Sequence, residues 1–257
     1  MSNGLANRIA CEFAVEERCL FSAMSERTAM FVDIQGFAVL YGGEHDSLWG
    51  LSELMRGVYL LGTEAKRLGI SRLFAHHIGD GFVLVDDSGT ANVTRLVSVA
   101  VALHQFTLIK AGHFCASAIE RGEMADVMGC YPEEVCDARS KYGALPLGDG
   151  LMTVFPVMGT AIIRTVKLQA KAHAAAILLP AVQAVGLEDG VSTTSEGDNL
   201  YVDWVGSMSP TIKLAREIMG IDRVTSAQLA AAIDASVLRN NCKPDWTVRT
   251  WGFLSRL

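Results

Sequence analysis

The chain has 257 residues, half of them hydrophobic and only 19% charged, so it is long enough and apolar enough to bury a sizeable core. A net charge of −6, with Lys and Arg scattered, argues against a nucleic-acid binder that works by counterion release. Glu12, Glu16, Glu17 and Arg18 rule out a signal peptide over the first residues, and no run approaches the roughly 18 apolar residues of a membrane helix. The six cysteines (Cys11, Cys19, Cys115, Cys130, Cys136, Cys242) form no CxxC pair, and they read as reduced thiols of a cytoplasmic protein without a zinc site.

In chain order, an amphipathic lead-in over residues 1–27 is expected to be helical around Ala14–Met24. A strand follows at Ala29–Ile34. From Gly36 to Leu68 apolar residues recur at helical spacing, and Tyr41-Gly42-Gly43 predicts a break between two helices. Glu53, Arg56, Glu64 and Lys66 read there as solvated positions. Residues 70–87 read as a hairpin about Gly79-Asp80-Gly81, since an Asp-Gly step between apolar runs favours a tight turn. A helix over 90–111 has Val93, Leu96, Val97, Ala100, Val101 and Leu103 as its buried stripe. A strand at His113–Ile119 ends in Glu120-Arg121-Gly122-Glu123.

Beyond it, Glu133–Tyr142 reads as a helix, Met152–Val157 as a strand and Gly159–Ala175 as a helix. Ile177–Leu179 is a short strand and 182–185 one helical turn. A hairpin turns at Glu196-Gly197-Asp198-Asn199. After Pro210 two amphipathic helices are expected, 212–219 and 226–238, the second with Thr225-Ser226 as its N-cap. Trp246, Trp251 and Phe253 in the tail are core residues or dimer contacts. The order of elements predicts an α+β sheet of ferredoxin-like topology with helices on one face. The expected division is 28–206 as a main domain and 207–257 as a helical extension.

The chemistry concentrates at Thr28–Phe37, TAMFVDIQGF. Alternation places Phe31 and Asp33 on one face of the strand and Met30, Val32 and Ile34 on the other. A carboxylate at the end of a buried strand must be hydrogen-bonded, neutralised or bound to a metal, and plain capping is the alternative. Asp80, in the hairpin turn, supplies a second carboxylate. Two carboxylates at neighbouring strand ends repel unless a cation holds them, and hard oxygen ligands favour Mg²⁺ or Mn²⁺ completed by substrate phosphate.

FVDIQGF and IGDGF resemble the two metal motifs of class III nucleotidyl cyclases. CASAIERGEM and VFPVMGTAIIRTVKLQAKA resemble, in the same order, the later strand and the strand–helix that carry the transition-state residues. The resemblance spans residues 28–204. It implies the class III catalytic fold, with two Mn²⁺ or Mg²⁺ ions at Asp33, Asp80 and the Ile34 carbonyl. It implies nucleotide contacts at Phe31, Gly36, Phe37, His76 and Pro156, with the amides of Gln35–Ala38 around the β- and γ-phosphates. The ribose 3′-oxygen would attack the α-phosphorus and expel pyrophosphate. Members work as head-to-tail dimers, so a homodimer with composite sites is expected, its product being read by a separate effector.

This chain departs from the family's purine pattern. The helix positions that carry Asn and Arg are here Ile163 and Lys167. Lys167 supplies charge without the bidentate fork of Arg, and Ile163 supplies no hydrogen bond. Arg164 compensates or is a solvated helix position, pointing about 100° away from its neighbour. Where adenylate cyclases place Lys and guanylate cyclases Glu, this chain has His76, and the partner position is Pro156. A compact cyclase without purine-reading residues resembles the Pycsar pyrimidine cyclases of bacterial anti-phage defence. That implies a UTP or CTP cyclase, UTP favoured. A purine cyclase with an atypical pocket and a catalytically silent cyclase-like module are the alternatives.

Overall fold

The computed structural model describes residues 25–37, 46–88, 92–126, 144–147, 149–153, 157–172, 174–240 and 242–254. The lead-in helix, the Tyr41-Gly42-Gly43 break, Ala38, the helix at Glu133–Tyr142, Pro156 and four of the cysteines (Cys11, Cys19, Cys130, Cys136) lie outside those residues.

The first half of the chain runs β1 (Ser25–Ile34), α1 (Asp46–Thr63), β2 (Leu73–Ile78), β3 (Gly81–Asp86), α2 (Val93–Ala111) and β4 (Cys115–Asp126). Its strands lie in the order β2-β3-β1-β4, each antiparallel to its neighbour. That is the split βαβ, ferredoxin-like arrangement expected from the order of elements. After a two-stranded hairpin, β5 (Ala144–Leu147) and β6 (Gly150–Thr153), β7 (Val157–Gly159) pairs with the far end of β4 and leads into α3 (Thr160–Gln169). β8 (Ile177–Pro180) then pairs parallel to β4, and β9 (Thr193–Glu196) and β10 (Asn199–Val202) complete the sheet. Three helices follow: α4 (Pro210–Ile218), α5 (Ser226–Arg239) and α6 (Pro244–Gly252).

The pleat of β1 divides the molecule. Met30, Val32 and Ile34 are buried in the main core with Phe82 and Leu84 of β3 and the apolar faces of α1 and α2. Ala29 and Phe31 point to the other side, with Val83, Val85 and Met124, beneath Ala161 and Ile162 of α3, so helices pack on both faces of the sheet and not on one as expected. At the end of the sheet away from Asp33, Arg27 pairs with Asp87 at 2.6 Å and Arg95 with Asp86 at 2.9 Å.

Several expectations are corrected. α2 has no single buried stripe; almost every residue from Val93 to Leu108 is buried. α4 and α5 cover the side of α2 that the sheet does not, and the Arg239 guanidinium and Asn240 amide donate to the carbonyls of Ala111 and Gly112 at its end. By length and composition α2 could cross a membrane, yet here it is the central helix of a core. Glu53 is buried rather than solvated, because α1 packs on more than one side. Glu120 to Glu123 lie within β4, which β1 and β7 extend to Asp126. The strand expected at 152–157 falls instead to β6 and β7, with 154–156 outside the described residues, and α3 stops at Gln169.

The expected N-cap of α5 is present as a full capping box, with Thr225 and Gln228 bonding each other's backbone amides. The tail aromatics pack within their own chain. Trp246 meets Phe114 edge-on, and Phe253 stacks on Tyr201 at 3.8 Å.

Candidate active site

Asp33 is the second-last residue of β1, and the pairing of β1 with β3 sets it opposite Gly81. The β2–β3 hairpin closes over Gly79 and Asp80, with Ile78 opposite Gly81, so Asp80 follows the positive-φ residue Gly79 directly. The Ile34 amide donates to the Asp80 carbonyl at 3.3 Å and the Gln35 amide to Phe114 at 2.8 Å, which ties the end of β1 to both neighbours. Gly81 permits the close approach, since a Cβ there would lie 2.4 Å from the Val32 carbonyl oxygen and 2.9 Å from Asp33 Cβ. Gly36 adopts φ +73° with open space about it. Backbone conformation rather than crowding therefore calls for glycine there, and the chain becomes helical at Phe37.

The two carboxylates repel. Burial and the negative charge of Asp80 push the Asp33 carboxyl up to about 7, against the partial relief of hydrogen bonds from the Gln35 and Gln169 side chains. Among the described residues no third His, Cys, Asp or Glu joins the pair. Two hard carboxylates, one carrying uncompensated repulsion, suit a divalent cation whose remaining ligands come from phosphate or water. Cys115, also beside Asp33, is fully buried and its thiol is pushed up to about 12, so it stays protonated.

The remaining expected residues lie elsewhere. Phe31 shares the Asp33 face of β1, half-buried, and Phe37 packs against the main core. His76 stacks flat against Phe74, two residues along β2, while His77 meets Phe82 on the opposite face, so the two are no metal pair. Burial and His77 lower the His76 pKa, which keeps its ring neutral with one donor and one acceptor. Arg164 and Lys167 are both exposed on α3. Arg164 donates to the Arg121 carbonyl at 3.4 Å, and with Lys171 it acts on the Glu120 carboxyl. Glu120 is four residues along β4 from Ala116, the partner of Asp33, about 13 Å away at strand spacing. Asp80 is the charged group that shifts Asp33, and neither Arg164 nor Lys167 does. Ile163 is exposed as well, as are Val166 one turn along α3 and Met158 of β7. Sequence reasoning missed Gln169, whose Nε2 donates to Asp33 Oδ1 at 2.8 Å across 136 positions of chain. No local pattern marks such a residue.

No protein-family model matches the chain, and no curated protein does. Among solved structures it is similar to the guanylyl cyclase Cya2, at 12% identity and TM-score 0.44 over 73% of this chain and 95% of that one. It is similar to the guanylate cyclase domain of RhGC from Catenaria anguillulae in complex with GTP, at 13% identity and TM-score 0.47 over 69% of this chain and 95% of that one. The adenylyl cyclase CyaB from P. aeruginosa is similar at 13% identity and TM-score 0.45, over 70% of this chain and 95% of that one.

Proposed function

We propose that this chain is a metal-dependent nucleotidyl cyclase that closes a nucleoside triphosphate to its 3′,5′-cyclic monophosphate and releases pyrophosphate. The observation that carries the reading is the convergence of Asp33 and Asp80 at adjacent strand ends, where burial and the Asp80 charge disfavour the ionised form of Asp33. Asp33 and Asp80 would hold one or two Mn²⁺ or Mg²⁺ ions, with the Ile34 carbonyl as a further ligand. Such ions supply charge against the triphosphate and make the ribose 3′-hydroxyl easier to deprotonate. The backbone amides of Gly36 and Phe37, where the chain turns into a helix, would face the β- and γ-phosphates, the Gln35 amide being held by Phe114. Residues 28–206 form the catalytic unit and 207–257 a helical support for it.

Arg164 acts on Glu120 rather than on the Asp33 of its own chain and Lys167 is exposed, which supports a head-to-tail homodimer in which they serve the partner's site. The exposed apolar residues Ile163 and Val166 of α3, with Met158 of β7 just before it, suit such a contact. Lys167 would neutralise the transferring phosphate as a point charge.

The base is a pyrimidine, UTP before CTP. This rests on His76, a neutral ring half-buried beside Phe74, where purine cyclases carry Lys or Glu. The resemblance to pyrimidine cyclases supports a second-messenger role in anti-phage defence, the product acting on a separate effector. Incubating the purified chain with each of ATP, GTP, CTP and UTP and Mn²⁺, with product identified by mass, tests both parts. Cyclic UMP as the main product is expected. Cyclic AMP or GMP as the main product would overturn the base assignment, and full activity in Asp33→Ala the metal assignment.

A further inference from the structure

The Asp33 carboxylate has a neutral amide donor fixed on it from a distant element. Gln169 is the last residue of α3, and its Nε2 donates to Asp33 Oδ1 at 2.8 Å. Its backbone is held in place, because the Gln169 carbonyl accepts the Ala172 amide at 2.8 Å. Leu168 just before it and Ala172 three residues after it are buried in one cluster with Leu178 and Tyr201. The donor therefore comes from a rigid element.

The terminal torsion of an aspartate is broad and roughly two-fold, so an unsupported carboxylate samples many orientations. Gln169 fixes Oδ1 and the Gln35 side chain adds a second hydrogen bond, so two neutral amides set the plane of the carboxylate and leave its remaining lone pairs for other ligands. The chemistry of the donor matters too. A lysine or arginine here would cancel the negative charge that a divalent cation needs, whereas a glutamine orients the oxygen and adds no charge.

We infer that Gln169 is a positioning residue for the cation site: it holds the Asp33 carboxylate in the orientation that binds a divalent ion. The inference rests on the cation site proposed at Asp33 and Asp80. Partners behind a ligating group typically change metal affinity by about 10- to 100-fold when removed.

The test is Mn²⁺ binding to the full chain without nucleotide, at pH 8, read from the loss of the free-ion electron paramagnetic resonance signal. Gln169→Met keeps the length and helix propensity of the side chain and removes the donor, and Gln169→Ala removes both stem and donor. The expected result is a Mn²⁺ dissociation constant raised about tenfold or more in both variants, with circular dichroism melts that match the unaltered chain. The nucleotide KM at saturating Mn²⁺ should stay unchanged. If both variants bind Mn²⁺ within about twofold of the unaltered chain while Asp33→Asn loses it, the positioning role is overturned and the cation site stands. If the unaltered chain binds no Mn²⁺, or Asp33→Asn binds it equally well, both are overturned.

Discussion

Asp33 stands opposite Gly81 in the antiparallel register of β1 and β3, and the carbonyl of Asp80, the residue before Gly81, accepts the Ile34 amide. The backbone thereby forces two carboxylates together, and burial with Asp80 raises the Asp33 carboxyl from 3.8 to about 7. A folded-state value above the unfolded one means that the cation-free fold favours protonated Asp33. That contribution to stability is fully present below about pH 4 and is lost as pH rises through about 7. A cation competes with the same proton. Mn²⁺ affinity should therefore climb about tenfold per pH unit up to about pH 7 and level off above it. Calorimetric titrations between about pH 5.5 and 8.5 check this, with Asp33→Asn, which should bind no Mn²⁺ at any of these pH values, as the control. A flat profile in the unaltered chain would contradict it.

The composite site predicts complementation. Asp33→Ala and Lys167→Ala should each lose activity by about 10²- to 10³-fold, since each removes charge aimed at the phosphates. Mixed after co-expression, they should recover about a quarter of the normal rate, because half the dimers are mixed and each of those has one intact site. No recovery in the mixture would place Asp33 and Lys167 in the same chain's site.

His104 of α2 is fully buried, with Nε2 2.8 Å from Ser117 Oγ and the ring tilted against Trp204. Burial lowers its pKa from 6.5 to about 3. The folded state then resists a proton that the unfolded chain accepts, so this contribution is whole above pH 6.5 and is lost as pH falls toward 3. The slope is about 1.4 kcal/mol per pH unit in that window. Urea unfolding at pH 7 and pH 5 measures it. Ser117→Ala should cost about 1–3 kcal/mol at pH 7 by leaving the ring nitrogen unpaired in the core.

Removal of the helices after Ser209 should destabilise the chain rather than separate a dimer. α4 and α5 cover the outer side of α2, and each large side chain uncovered costs about 1.5–3 kcal/mol. A chain ending at Ser209 is expected to aggregate or melt well below the full chain in a thermal scan. A stable, soluble truncation that has lost only its dimer would assign those helices to the interface instead.

Much of the fold was legible because its signals are local. The alternation of β1, the glycines of the β2–β3 turn and the cap of α5 each lie within a few residues. Asp33 and Asp80 could be paired in advance because strand ends and turns follow the same short-range patterns. The errors have one cause. The periodicity of α2 implies one buried stripe and that of α1 a solvated Glu53, while the helices that cover the outer side of α2 arrive about a hundred residues later. The length of β4 was underestimated because Glu120 and Glu123 read as a polar end, whereas pairing with β1 and β7 carries the strand past them.

By itself, the sequence determined which residue types this protein has at two strand ends and how its helices begin and stop, since covalent spacing and backbone preference act over one or two turns. Only the tertiary structure decided that Gln169 holds Asp33, that Arg164 reaches toward Glu120 instead, and that the most apolar helix is a core element. Those relations depend on which surfaces meet when the chain buries its apolar area, and spacing along the chain carries no record of them.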